Sequence, residues 1–222
     1  MILLAAANLS WISEAIAWIL IGLIILFTLI LSLKSNLLRD DIDDVATFAA
    51  NATAQPQNAV QLAGATDPQM IVDKVDHPYS LSRVQLAVWT VVISCSYVYL
   101  ALYRHQVIGL NATALELMGI SIGTAGLANV IDQSQSNTAT TTAPQPRHQN
   151  HPSEGFMKDI LSDQDGVSIH RFQQVVWTAI AVVMYLYGVH SQDTLPMLSN
   201  TLIALAGISS AAYLGLKINE NN

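Results

Sequence analysis

The sequence predicts an all-α integral membrane protein, with an N-terminal transmembrane anchor helix and two tandem, parallel transmembrane helical hairpins, five transmembrane helices in all. Three observations carry that prediction. The chain is 52% hydrophobic and only 11% charged, whereas typical soluble domains carry about 25% charged residues. The apolar residues fall in long blocks, and the mean hydropathy is +0.40. The stretch from residue 80 onward repeats itself at a fixed offset of 88.

The first block, Ala15 to Leu33, has no charge and matches the ~20 residues that cross a hydrocarbon core. Ser10 is placed to cap it, and Glu14 falls in the first turn, where the helix dipole favours an acid. No Lys or Arg precedes Lys34, so the block lacks the basic n-region of a cleaved signal peptide and reads as an uncleaved anchor.

The second block, Val84 to Tyr103, and the fourth, Phe172 to Val189, are strongly apolar. The third, Val107 to Ile131, and the fifth, Leu195 to Leu216, are milder and richer in small residues. Asn111, Glu116 and Asn129 make the third the least apolar. Arg104-His105-Gln106 ties it to the second block as a hairpin. Thr194 or Asp193 as cap, with Pro196 in the first turn, would start the fifth helix.

With the N-terminus outside and the C-terminus inside, Lys34, Arg39, Lys74, Arg83, Arg147, Lys158, Arg171 and Lys217 are cytoplasmic and only Arg104 is external. That asymmetry follows the positive-inside rule. The expected organisation is an anchor over 1–38, a cytoplasmic linker over 39–79, a hairpin over 80–132, a flexible linker over 133–167 and a second hairpin over 168–222. Val45 to Ala52 has the composition to add a helix within the first linker. The Ser, Thr, Gln and Pro of 133–157 cannot bury a core.

The repeat places Ser80, Arg83, Gln85, Trp89 and Thr90 opposite Ser168, Arg171, Gln173, Trp177 and Thr178. Tyr97 and Tyr99 match Tyr185 and Tyr187, and Gly119-Ile120-Ser121 matches Gly207-Ile208-Ser209. The shared polarity predicts repeats related by an axis near the membrane normal. This pattern resembles uncharacterised bacterial multi-pass membrane proteins with paired Ser-x-x-Arg-x-Gln and Gly-Ile-Ser hairpins. The resemblance spans the two hairpins, roughly the last two thirds of the chain. It implies the bacterial cytoplasmic (inner) membrane and no particular activity.

Several residues carry candidate roles. Glu116 is the acid well inside an apolar segment, and an intramembrane ionisable group points to an ion or proton site. Its alternative is a hydrogen-bonded acid at a helix contact near Thr113 and Gly119; its match in the second copy is Ala204. Arg83, Arg171, Trp89 and Trp177 suit a lipid or partner interface, with the arginines reaching lipid phosphates. Small residues at Ala112, Gly119, Gly123 and Gly126, and at Ala204, Gly207, Ala211 and Gly215, read as close-packing helix seams. Ser80 and Ser168 read as helix caps. The aspartates at 40, 41, 43 and 44, and at 159, 163 and 165, read as solvated runs.

Other patterns exclude more than they suggest. Nine Lys and Arg against sixteen Asp and Glu leave no nucleic-acid footprint. Cys95 is the single cysteine, a buried small hydrophobe by default. His148 and His151 lack further ligands, and Asp163-Gln164-Asp165-Gly166 lacks the third acid and distal Glu of a calcium loop and reads as a turn. Asn51-Ala-Thr53 and Asn111-Ala-Thr113 fit the glycosylation pattern, but one lies in the cytoplasmic segment and the other enters the membrane. No cofactor, metal or catalytic cluster is expected. The function this favours is a non-enzymatic membrane scaffold or complex subunit, assembling with copies of itself or within a larger complex in the lipid bilayer. The alternative is a small channel or transporter subunit built around Glu116.

Overall fold

The computed structural model describes residues 2–42, 44–105, 109–136, 148–163 and 166–220. The expectations placed on Asp43, Gln106, Val107, Arg147 and Asp165 fall outside them, as do the side chains of His148, Asp163 and Lys217. The helices are α1 (Ile2–Lys34), α2 (Val45–Ala54), α3 (Pro68–Lys74), α4 (Leu81–Val98), α5 (Ala112–Ser136), α6 (Phe156–Leu161), α7 (Ile169–Gln192) and α8 (Asn200–Glu220). Two short antiparallel strands, β1 (Ser162–Asp163) and β2 (Gly166–Val167), separate α6 from α7.

Four helical segments are long and apolar enough to cross a membrane: Trp11–Lys34, Leu81–Tyr103, Ala112–Ile131 and Ile169–Gln192. The fifth block differs from its expectation. Its helix begins at Asn200 rather than near Thr194, leaving a 17-residue apolar stretch, Asn200–Leu216. At 1.5 Å per residue that is about 26 Å, short of a ~30 Å hydrocarbon core. The delay has a packing cause. Leu195, Pro196 and Leu198 are buried in extended chain, with Pro196 seated against Gly188. Helix α7 stops at Asp193, which adopts the left-handed conformation at φ 51°.

Helix α1 also starts earlier than expected. Ser10 lies inside it, because the Leu- and Ala-rich stretch from Ile2 to Ala7 carries the helix upstream. Most of α1 faces outward, with Trp18, Leu23, Phe27 and Leu33 exposed and Ala17 buried. It packs on α4 and on the π-helical turn Tyr99–Tyr103 that extends α4. Trp18 meets Tyr99 and Tyr103 edge-on at 6.3 and 5.8 Å.

The other four long helices form a ring in the order α4, α5, α8, α7. Each hairpin partner pair packs together, α4 also borders α7, and α5 borders α8. Equivalent helices are therefore neighbours, α4 beside α7 and α5 beside α8, and not on the opposite corners that a two-fold axis down the middle would give. The core is Trp89, Ile93, Leu100, Ala114, Leu117, Ala181, Tyr185, Val189, Leu195 and Leu198. Trp89 and Tyr185 meet at 6.1 Å, nearly perpendicular, the edge-to-face geometry that ring quadrupoles favour.

Residues 35–80 are a folded cap rather than a linker. Phe48, Ala49 and Ala52 of α2 bury against Leu62, Ile71, Val72 and Val75. The spacing of the α2 residues puts them on one helical face. Backbone bonds close the two ends of the cap on each other. Asp40 N–H donates to the Pro78 carbonyl at 2.9 Å, and Ser80 N–H to the Leu38 carbonyl at 2.8 Å. Asn150 joins the two connecting segments: its Oδ1 accepts from Asp44 N–H at 3.0 Å and its carbonyl from Asn51 Nδ2 at 2.9 Å. Asp159 is 3% exposed. Its carboxylate accepts from Tyr79 N–H, Ser153 Oγ and Glu154 N–H at 3.1, 2.6 and 3.0 Å. Asp40 and Asp159 are thus buried, not solvated: the Asp40 N–H finds the Pro78 carbonyl, and the Asp159 carboxylate is met by three donors.

Candidate functional site

Glu116 is exposed on the outer face of α5. Helix α5 buries Thr113, Ala114, Leu117, Ser121, Thr124, Ala125 and Ala128, a 3-and-4 spacing that fixes its inner stripe. The opposite stripe carries Leu115, Glu116, Gly119, Ile122, Gly123 and Leu127. A methyl group added at Gly119, Gly123 or Gly126 meets nothing within 4 Å, and the same holds for Gly215. The expected packing seam is therefore not made within the chain. Its small inner residues are Ala114, Ser121, Ala125 and Ala128. Among the expected glycines only Gly207 touches the opposing hairpin, at Ile120 Cδ1, 4.0 Å.

The four interface residues also lie differently from expectation. Arg83 is held by the chain itself: Nη1 donates to the Arg39 carbonyl at 2.8 Å and Nη2 to Asp41 Oδ2 at 2.5 Å. Arg171 is 4% exposed, its guanidinium carbon 5.5 Å from the Tyr213 ring centroid. Trp89 is buried in the bundle core and Trp177 is half-buried. Only Arg83 is held by the segment before the cap helices; Arg171 and Trp89 are covered by side chains of the bundle itself. Ser80 and Ser168 do start their helices, but neither side chain caps. Instead their backbone N–H groups donate to Leu38 and Leu161.

The polar residues that converge lie inside the ring. Gln174 Nε2 donates to Gln85 Oε1 at 2.7 Å, and Gln85 Nε2 donates to Thr178 Oγ1 at 2.7 Å. Gln174 Nε2 also lies 3.5 Å from Ser210 Oγ. These links cross from α4 to α7 and from α7 to α8. Ser96 and Thr124 turn their hydroxyls back onto their own helices, to Val92 O at 2.7 Å and Ile120 O at 2.7 Å, a local way to satisfy a hydroxyl in an apolar setting. The repeat is broken here: Gln85 is buried while its match Gln173 is exposed, and Tyr185 is buried while Tyr97 is exposed. Gln174 has no match in the first copy, where Leu86 stands. Its signal was its register, seven residues before the buried Ala181 on the inner stripe of α7.

At the far end of the ring, Asn111 does more than lower the apolarity of its segment. Its Oδ1 accepts from Ala114 N–H at 2.9 Å, capping α5. Its Nδ2 donates to the Leu195 and Pro196 carbonyls at 2.8 and 2.9 Å. Thr113 Oγ1 accepts from Leu198 N–H at 3.3 Å. Nearby, Arg104 Nε donates to Asp193 Oδ1 at 2.6 Å. That hydrogen bond raises the Arg104 pKa above its ordinary value. In the cap, Thr47 donates to Asp44 at 2.6 Å and lowers the Asp44 pKa, aided by the backbone N–H groups of Thr47 and Ala46.

Among the described residues no group of three or more His, Cys, Asp or Glu is placed to hold a metal. Compared with known families, curated proteins and solved structures, the chain finds no match.

Proposed function

We propose that this chain is a non-enzymatic, multi-pass membrane scaffold subunit that assembles with copies of itself through the outer stripe of α5. The observation that carries the reading is the open face holding Glu116, Gly119, Gly123 and Gly126. A carboxyl group facing hydrocarbon is costly, and small residues at this spacing allow close helix approach. Docking on another copy relieves both. In this reading α8 joins the spans as a short fifth helix, the N-terminus is outside, and the cap faces the cytoplasm of a bacterial cell. The basic residues support that orientation: Lys34, Arg39, Lys74, Arg83, Lys158 and Arg171 gather at one end and Arg104 stands at the other.

The test is the oligomeric state of the full chain in lipid nanodiscs, measured by mass. Wild type is expected to form a defined oligomer. Gly119→Leu with Gly123→Leu should yield folded monomers, because leucines there meet open space within the chain. A wild-type monomer at every concentration, or an unchanged oligomer in the double variant, overturns the proposal. Glu116→Gln keeps shape and hydrogen bonding and should leave assembly intact. A cation flux in wild-type vesicles that this change abolishes would establish a channel instead.

A further inference from the structure

The geometry points to a binding site for one internal water molecule at the centre of the helix ring, between α4, α5, α7 and α8. A cavity of about 20 Å³ lies there, above the roughly 10–15 Å³ that one water needs. Its lining joins Gln85, Ser121, Gln174, Thr178, Ser209 and Ser210 with the faces of Trp89 and Trp177. Gln174 is 2% exposed and Ser209 6%, and neither Gln174 Oε1 nor Ser209 Oγ has a hydrogen-bond partner among the described residues. An unsatisfied buried oxygen costs about 1–3 kcal/mol, so two on one small cavity call for a shared donor. A water donates to both and accepts from a hydroxyl in return.

The internal repeat supplies an independent argument. Most of the lining belongs to pairs that are identical at the 88-residue offset, and both members of Trp89/Trp177 and of Ser121/Ser209 line the same cavity. Residues shared by the two copies thus meet at one point, Leu117 and Ile120 among them. Helix-packing contacts alone would not ask for hydroxyls and amides there. The mixed donors and acceptors also distinguish water from a metal cation. No carboxylate lines the cavity to balance a cation's charge, and both Nε2 groups are already engaged with Gln85 Oε1 and Thr178 Oγ1. Water joins α8 to the Gln174–Gln85–Thr178 chain and closes the polar link across three helices. The site sits near the cap end, with Gln85 four residues beyond Leu81, about 6 Å by helix rise.

The experiment uses the full chain in lipid nanodiscs, with ¹⁵N-labelled glutamine and solid-state NMR transfer from water protons. Wild type should show water cross-peaks to the side-chain amides of Gln85 and Gln174, both shielded from bulk solvent. Ser209→Val fills the space and removes one partner, so those cross-peaks should disappear while the amide signals remain. Should that variant fail to fold, Ser209→Ala enlarges the space, and the Gln174 cross-peak must persist. Absence of the cross-peaks in folded wild type, or their survival in folded Ser209→Val, overturns the site. A sodium-specific rise in unfolding temperature at constant ionic strength, lost in Ser209→Ala, would overturn it in favour of a cation.

Discussion

Gly188 of α7 lies directly against Pro196: a Cβ at 188 would stand 2.5 Å from the Pro196 Cβ and 3.0 Å from its Cγ. No rotation relieves that approach, because both atoms are fixed by backbone and ring. Gly188→Ala should therefore destabilise the protein by about 1–3 kcal/mol, the usual cost of overpacking. Pro196→Gly removes the opposing atoms, so in the double variant the effect of Gly188→Ala should largely vanish. Thermal unfolding of the four proteins in detergent measures that coupling. Additive effects would show that the clash is not the cause.

Asn111 performs two tasks that substitution can separate. Asn111→Asp keeps the oxygen that caps α5 but loses both donations to the Leu195 and Pro196 carbonyls. Asn111→Ala loses everything. We expect Asn111→Ala to cost about 1–3 kcal/mol. Asn111→Asp should keep α5 protected in hydrogen exchange while residues 195–199 exchange faster. Equal protection of that segment in wild type and Asn111→Asp would refute the bridging role.

Asp44 gives the cap a defined response to acid. Its pKa is lowered in the folded protein, below the ordinary value of about 3.9. A depressed carboxyl pKa stabilises the fold fully above the ordinary value, and the stabilisation is lost as pH falls through the folded one. Carboxyl NMR should show Asp44 titrating below typical aspartates. Thr47→Ala should move it upward, and Asp44→Asn should remove this contribution to acid sensitivity. A normal titration of Asp44 in the folded chain would contradict the capping geometry.

Topology is open to direct measurement. Gln57 lies exposed in the cap and Ser191 exposed at the opposite end of α7. In a Cys95→Ala background, Gln57→Cys should react with an impermeant maleimide only from the cytoplasmic face, and Ser191→Cys only from the outer face. Reaction of both from one side would rule out the proposed crossing of α7.

The long apolar blocks made α4, α5 and α7 legible, since a helix is the economical way to carry twenty apolar residues. What the sequence hid was governed by particular pairs. Pro196 looked like a helix-start residue until its seat on Gly188 delayed α8 to Asn200. Asp159 looked like one more surface acid, because its donors at Tyr79, Ser153 and Glu154 are supplied by tertiary structure. The spacing of the α5 glycines marks a close-packing stripe but not its partner, and in the structure the stripe faces outward. Gln174 escaped notice because the repeat drew attention to Gln173, which points outward.

The bond from Tyr79 N–H to Asp159 spans 80 residues of sequence, and this separation bears on biogenesis. At about 5–20 residues per second of synthesis, the acceptor follows the donor by roughly 4–16 s. During that interval α4 and α5 have emerged from the ribosome, but the segment that closes the cap has not. Helices α4 and α5 must enter the bilayer beside an unfinished cap, and Asp159 then acts as a late latch. Truncated chains ending before residue 159 should accordingly be inserted yet remain open to protease between residues 35 and 80.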